Sequence, residues 1–187
     1  VLIPRTETEI LVEKAEELLK TIKSPKIIEI GTGSGIISVM LALLIDDIEI
    51  VAVDINDKAL ELATSNAIKH KVEDKITFIK SDLYENIETT KFDMCISNPP
   101  YIANNFKLDK NVQFEPSNAL LGGNKGDELL EKIISQTAQR DIKYLYCEMG
   151  YDQKKPLTDF INQFNIKKLE FYKDLAKLDR GFLLDFK

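Results

Sequence analysis

The sequence has no tryptophan, one histidine and two cysteines among 187 residues. A metal site built on imidazoles, or a Ser–His–Asp triad, would have to rest on His70, which lies between Lys69 and Lys71 and reads as the solvated end of a helix. No metal centre is expected. Cys95 and Cys147 form no C-x-x-C pair and are too few for a disulfide scaffold. Both sit in apolar, strand-like runs, which suits buried, reduced thiols and a cytoplasmic protein. Long hydrophobic stretches are lacking too. The longest, Ile36 to Ile45, is interrupted by Ser38 and stopped by Asp46-Asp47, short of the roughly 20 residues that cross a bilayer. No basic leader begins the chain, so no membrane partner is expected. There is no excess of basic residues: 25 Lys and Arg stand against 31 Asp and Glu, a net charge of −6. That balance argues against nucleic acid as a partner. What remains is 44% apolar and 30% charged, the composition of one folded domain with a sizeable core.

Short β-branched runs alternate with helical periodicity. Thr6 and Glu9 have capping-box spacing, and Leu11, Ala15, Leu18 and Ile22 then share one helical face. Strands are expected at Ile27–Ile30, Ile50–Val53, Ile76–Ile79, Phe92–Ser97 and Ile142–Cys147. Helices are expected at Ile36–Ile45, from an Asp57 cap to Ile68, at Glu128–Ala138 and at Leu157–Phe164. This alternation predicts βαβ units and an α/β fold with a doubly wound, mostly parallel sheet. The last two strands, Lys168–Tyr172 and Phe182–Phe186, are too close for a crossover helix and should form an antiparallel hairpin. The stretch from Ile102 to Gly126 shows no clear periodicity. Loops that long in a compact domain are usually functional, and this one is positioned to fold over a substrate.

Four strand ends carry residues suited to a nucleoside and an amide. Gly31-Thr32-Gly33-Ser34-Gly35 leaves a strand and enters a helix, two residues after Glu29. Glycines allow a tight turn and close ligand approach, but the dinucleotide fingerprint would need glycine at position 36, which is Ile. Asp54, at the next strand end, can accept both hydroxyls of a ribose. Asp82 can accept from an exocyclic amine, while Leu83 can offer a backbone amide and an apolar wall to a purine. Each alone reads better as an Asx turn or a helix cap; three in succession favour a nucleoside site. The fourth is Asn98-Pro99-Pro100-Tyr101. Proline has no N–H and fixes the backbone, so the Asn98 side-chain oxygen and the Pro99 carbonyl can both accept from one NH₂ group. Tyr101 offers a flat face for a planar group. This suits methylation of a conjugated nitrogen, whose delocalised lone pair makes it a poor nucleophile.

In this order, the glycine loop, Asp54, Asp82 and Asn98-Pro99-Pro100-Tyr101 resemble a class I S-adenosylmethionine-dependent methyltransferase acting on amide or amine nitrogen. More closely, the chain resembles the peptide chain release factor glutamine methyltransferases (the HemK/PrmC group). Leu2-Ile3-Pro4-Arg5 with Thr8-Glu9 is similar to that family's opening segment, and Val112, Phe114-Glu115-Pro116, Ala119-Leu120, Gly122-Gly123 and Gly126 to its later loop. Glu148-Met149-Gly150, Asp174-Leu175-Ala176 and Asp179-Arg180 are similar to its last blocks. Thr6 stands where the family has proline, Gln113 where it has arginine, and Leu83 where an aromatic is common.

The resemblance implies a seven-stranded Rossmann-like sheet and methyl transfer to the glutamine side chain of a Gly-Gly-Gln tripeptide in a release factor, with S-adenosylhomocysteine as product and no metal. It implies that Gly31, Thr32, Gly33, Ser34, Gly35, Asp54, Asp82, Leu83 and Asn98 bind the cofactor, and that Asn98, Pro99, Pro100 and Tyr101 do the chemistry. Residues 1–187 should then be a catalytic domain, acting as a monomer, without the family's N-terminal helical docking domain. Two rivals share parts of this pattern: a methyltransferase for exocyclic amines of DNA or RNA, with a flipped base on Tyr101, and a non-catalytic module that merely binds S-adenosylmethionine.

Overall fold

A computed structural model describes residues 5–88, 91–104 and 120–187. In chain order the elements are α1 (Thr6–Leu19), β1 (Lys26–Ile30), α2 (Ile36–Leu44), β2 (Glu49–Asp54), α3 (Asp57–His70), β3 (Ile76–Lys80), β4 (Met94–Ser97), β5 (Ile102–Ala103), β6 (Leu121–Gly123), α4 (Glu128–Gln139), β7 (Tyr144–Glu148), α5 (Lys154–Ile161), β8 (Ile166–Lys173) and β9 (Asp179–Phe186). Seven strands form one sheet in the order β3-β2-β1-β4-β7-β9-β8. The first five are parallel, while β9 runs antiparallel to both β7 and β8. The expected α/β sheet and C-terminal hairpin are both present.

Period-two alternation sorts each strand's side chains onto two faces. Ile50 and Ala52 of β2, Met94 and Ile96 of β4, and Tyr146 of β7 join a cluster with Leu11 and Ala15 of α1, Leu41 of α2 and Ala67 of α3. Ile28, Val53, Cys95, Leu145 and Cys147 point the other way and pack with Leu130, Ile133 and Ile134 of α4 and Leu157 and Ile161 of α5. The sheet is therefore covered on both faces, as a parallel sheet requires. Burial pushes the Cys95 thiol up to about 12 and raises Cys147 as well.

Several local expectations are corrected. Thr6 does not cap α1: Arg5 holds the cap position, with no side-chain cap bond, because Thr6 has already turned into the helix. Ile22 lies beyond that helix. Asn56, not Asp57, caps α3, its side chain accepting from the Lys58 amide at 3.0 Å. Helix α5 starts at Lys154 and ends at Ile161. Pro156 is tolerated in its first turn, where the missing N–H has no helical partner. The stretch from Ile102 to Gly126 is not without regular structure, since β5 and β6 pair in parallel. Val112, Gln113, Phe114-Glu115-Pro116 and Ala119, like Leu2-Ile3-Pro4, lie outside the described residues.

Candidate active site

The strand order reverses between β1 and β4, the switch point where open α/β sheets bind ligands. Ile30 pairs with Ser97 in register, and Ser97 Oγ donates to the Ile30 carbonyl at 2.7 Å. Gly31 and Asn98 are thus the next residues of adjacent strands. On the other side Ile30 pairs with Val53, whose carbonyl accepts from the amides of Gly31 and Thr32, both at 2.9 Å. The loop then turns through Gly31, Gly33 and Gly35, at φ of +72°, +56° and +78°. A methyl on Gly31 would meet nothing within 4 Å, whereas one on Gly35 would lie 2.9 Å from Ala63 Cβ. Gly31 therefore borders open space for a ligand, and Gly35 lets α2 pack on α3.

Two carboxylates hold this loop. Asp54 accepts from the Gly33 amide at 2.9 Å through one oxygen and from the Asn56 amide at 2.9 Å through the other. A carboxylate offers about four acceptor sites, so capacity remains for two ribose hydroxyls. Glu29, 1% exposed, accepts from Thr32 Oγ1 at 2.8 Å, the Ser38 amide at 3.2 Å and the Ser38 hydroxyl. Burial pushes its carboxyl up to about 7, although these hydrogen bonds pull the other way. Ser34 is half-buried at the loop's edge, its carbonyl accepting from Asn66 Nδ2 at 2.8 Å. Asp82 is exposed just beyond β3. Leu83 follows at φ +50°, with its side chain in the core cluster beside Val53 and Tyr84. The apolar wall expected of it is thus turned into the core.

Asn98-Pro99-Pro100-Tyr101 follows β4 directly and lines a cleft of about 570 Å³ with Glu148 and Arg180. Asn98 Nδ2 donates to Thr8 Oγ1 at 3.1 Å, and Thr8 donates to Glu148 Oε2 at 2.9 Å. Tyr101 donates its hydroxyl to Glu148 Oε1 at 3.1 Å, and burial raises its pKa. Gln153 Nε2 donates to the Tyr101 carbonyl at 2.9 Å while Gln153 Oε1 accepts from the Gly150 amide at 2.8 Å. One wall is fixed by Arg180, whose Nε and Nη2 donate to Asp174 Oδ2 at 3.0 and 2.8 Å. The structure thus gathers the four strand ends singled out from sequence along one edge of the sheet.

A family model described as Methyltransferase small domain matches residues 6–115. A curated release factor glutamine methyltransferase from Dictyoglomus turgidum is 46% identical over 96% of this chain and 66% of its own length. Another from Flavobacterium psychrophilum is 35% identical over 100% of this chain and 68% of its own. The chain belongs to the release factor glutamine methyltransferase family. It spans 52%, 66% and 65% of the length of three further curated members. Among solved structures, the hMettl16 catalytic domain in complex with a MAT2A 3′UTR hairpin superposes with a TM-score of 0.78 at 19% identity, over 100% of this chain and 73% of that one, a likeness of fold.

In this family member, sequence reasoning missed the groups behind the Asn98-Pro99-Pro100-Tyr101 turn. Thr8 and Glu148 were visible only as parts of matching blocks, and Gln153 not at all. One signal was available: a carboxylate ending the apolar run Leu145–Cys147 is an acid placed where it must be buried and partnered. Among the described residues no cluster of His, Cys, Asp and Glu could hold a metal.

Proposed function

We propose that the protein transfers a methyl group from S-adenosylmethionine to the side-chain amide nitrogen of the glutamine in the Gly-Gly-Gln motif of peptide chain release factors. The observation that carries the reading is the register that pairs Ile30 with Ser97, so that the glycine loop and Asn98 leave adjacent strands at the switch point. A donor loop and an amide clamp on adjacent strand ends are what direct transfer between two bound molecules needs. The curated names of the relatives support the substrate class.

When bound, S-adenosylmethionine supplies an electrophilic methyl carbon on a sulfonium sulfur, which keeps the bonding electron pair as the methyl passes to nitrogen. Gly31 to Gly35 would line its methionine and ribose, with Asp54 on the ribose hydroxyls and Asp82 and the Leu83 backbone at the adenine. The open space at Gly31 and the spare acceptor capacity of Asp54 fit that group. Asn98 Oδ1 and the Pro99 carbonyl accept the two N–H groups of the glutamine amide, orienting its nitrogen and favouring the positive charge that develops there. Tyr101 flanks the amide plane. The surplus proton leaves to solvent, so no catalytic histidine is needed. Alignment of this kind can supply ~7–11 kcal/mol. The protein acts as a monomer in the cytoplasm, on a protein rather than a nucleic acid; for the last point the support is that the net charge of −6 offers no excess of cations to a phosphate backbone.

The test is to incubate the full-length protein with methyl-labelled S-adenosylmethionine and, separately, a release factor, its Gln→Ala variant, DNA and RNA. Label should enter the intact release factor only. Label in nucleic acid alone would establish the exocyclic-amine rival, and label in none of them the binding module. Asn98→Ala should retain most of the cofactor affinity but lose turnover.

A further inference from the structure

We propose that Thr8 and Glu148 are positioning residues for methyl transfer, locking the Asn98 carboxamide in the one orientation that presents its oxygen to the substrate. This deepens the function proposed above and rests on it.

The hydrogen-bond chain runs from Asn98 Nδ2 through Thr8 Oγ1 to Glu148 Oε2, with steps of 3.1 and 2.9 Å. Its direction follows from one group. An ionised carboxylate has no proton to give and can only accept. The single hydroxyl proton of Thr8 is therefore committed to Glu148, and Thr8 Oγ1 is left to accept. Only the NH₂ half of the Asn98 carboxamide can satisfy an accepting oxygen. A flipped amide would set Oδ1 against Oγ1 with no proton between them. Oδ1 is consequently left free for a donor from the cleft, such as the N–H of a primary amide.

The other oxygen of the same carboxylate accepts a hydrogen bond from the Tyr101 hydroxyl at 3.1 Å. Both side chains that bracket Pro99-Pro100 thus owe their polarity to one charge. That charge is deeply placed: Glu148 is 1% and Thr8 5% exposed. Burying a carboxylate costs stability, and orienting the amide clamp gives the buried charge a role at this strand end. The two residues come from α1 and β7, 140 positions apart, and meet only at the turn after β4.

Groups facing Glu148 are Glu7 and Thr8 from α1, Tyr101 from the turn, Tyr172 from β8 and Arg180 from β9. Burial raises the Glu148 carboxyl, while the bonds from Thr8 and Tyr101 and the charge of Arg180 oppose that rise. Once protonated, Glu148 can donate to Thr8 Oγ1, Thr8 can donate onward to Asn98, and the flipped amide becomes equally satisfied. Turnover should then fall on the acid side because the clamp loses its fixed polarity, with cofactor binding unaffected.

The experiment measures kcat, KM and S-adenosylmethionine affinity of the full-length protein with a release factor as acceptor, across pH, for Thr8→Val, Thr8→Ser and Glu148→Gln. Thr8→Val should lower kcat about tenfold or more and leave cofactor affinity within about twofold. Thr8→Ser, which restores the hydroxyl, should recover wild-type kcat. Glu148→Gln should lower kcat similarly and abolish the acid limb of the wild-type profile. A wild-type protein that methylates no release factor would overturn the proposed function itself. An active wild type with unchanged kcat in Thr8→Val, no recovery in Thr8→Ser, or a wild-type acid limb persisting in Glu148→Gln would overturn the positioning role alone. Should Glu148→Gln fail to fold, the Thr8→Val and Thr8→Ser pair decides the matter, since both keep the carboxylate.

Discussion

Replacing Gly35 by alanine would place a methyl 2.9 Å from Ala63 Cβ and 3.1 Å from Ala63 Cα, at a backbone φ of +78°. Gly31 has nearly the same dihedral, +72°, but nothing within 4 Å of where its methyl would go. The pair separates two contributions that a single substitution would merge. A left-handed alanine costs about 1–2 kcal/mol, of which about 0.4–1 kcal/mol is offset by the lower entropy of the unfolded chain. Gly31→Ala should therefore destabilise by about 0.5–1.5 kcal/mol. Gly35→Ala adds overpacking against a backbone atom that cannot swing away, about 1–3 kcal/mol, for a total of about 1.5–4.5 kcal/mol. In a chain of 187 residues that lowers the melting temperature by roughly 3–18 °C. Urea unfolding followed by circular dichroism gives the stabilities, and calorimetric titration with S-adenosylmethionine gives the affinities. Gly31→Ala should be the milder in stability and the more damaging to cofactor binding, because its methyl intrudes where the ligand must approach. Equal losses of stability, or undiminished affinity in Gly31→Ala, would refute this division of roles.

The Glu29 carboxyl is pushed from the ordinary 4.5 up to about 7, so between those values the folded state holds a proton that the unfolded state has released. Its stabilising contribution, roughly 3 kcal/mol at most, is complete below about pH 4.5 and is lost as pH rises to about 7; Glu29→Gln should flatten that slope in urea titrations run across pH. Asp54→Asn leaves one acceptor oxygen for two loop amides, and should cost about 1–3 kcal/mol together with a drop in cofactor affinity measured by calorimetry. Cys95 and Cys147 are fully buried with raised pKa values, so a thiol reagent should label neither in the native protein and both in denaturant. Rapid native labelling would mean that the sheet opens far more readily than its packing implies.

The sheet and its switch point were readable from the sequence because buried parallel strands leave a dense local signal, as in Ile27–Ile30 and Ile50–Val53. The residues pointed inward at those strands are adjacent in sequence, and so are the functional residues at their ends. Helix α5 begins three residues before the apolar pattern that starts at Leu157, because Pro156 needs no N–H partner in a first turn. The β5–β6 pair escaped notice because two short segments, one of them Leu121-Gly122-Gly123, carry too few side chains for any period. The pairing of Thr8 with Glu148 lay beyond reach for another reason. The apolar run before Glu148 marks a buried acid that needs a partner, but the contact that supplies it spans 140 positions and leaves no local trace.

The insertion of β9 between β7 and β8 has a consequence for how the chain is made. During synthesis β8 emerges before the strand that joins it to the sheet. Until Asp179–Phe186 follows, β7 presents an open hydrogen-bonding edge flanked by apolar side chains, and β8 has no place to dock. The nascent molecule is therefore prone to mispairing and aggregation until β9 has been made. A premature stop before β9 should produce an insoluble chain rather than a shortened, folded one.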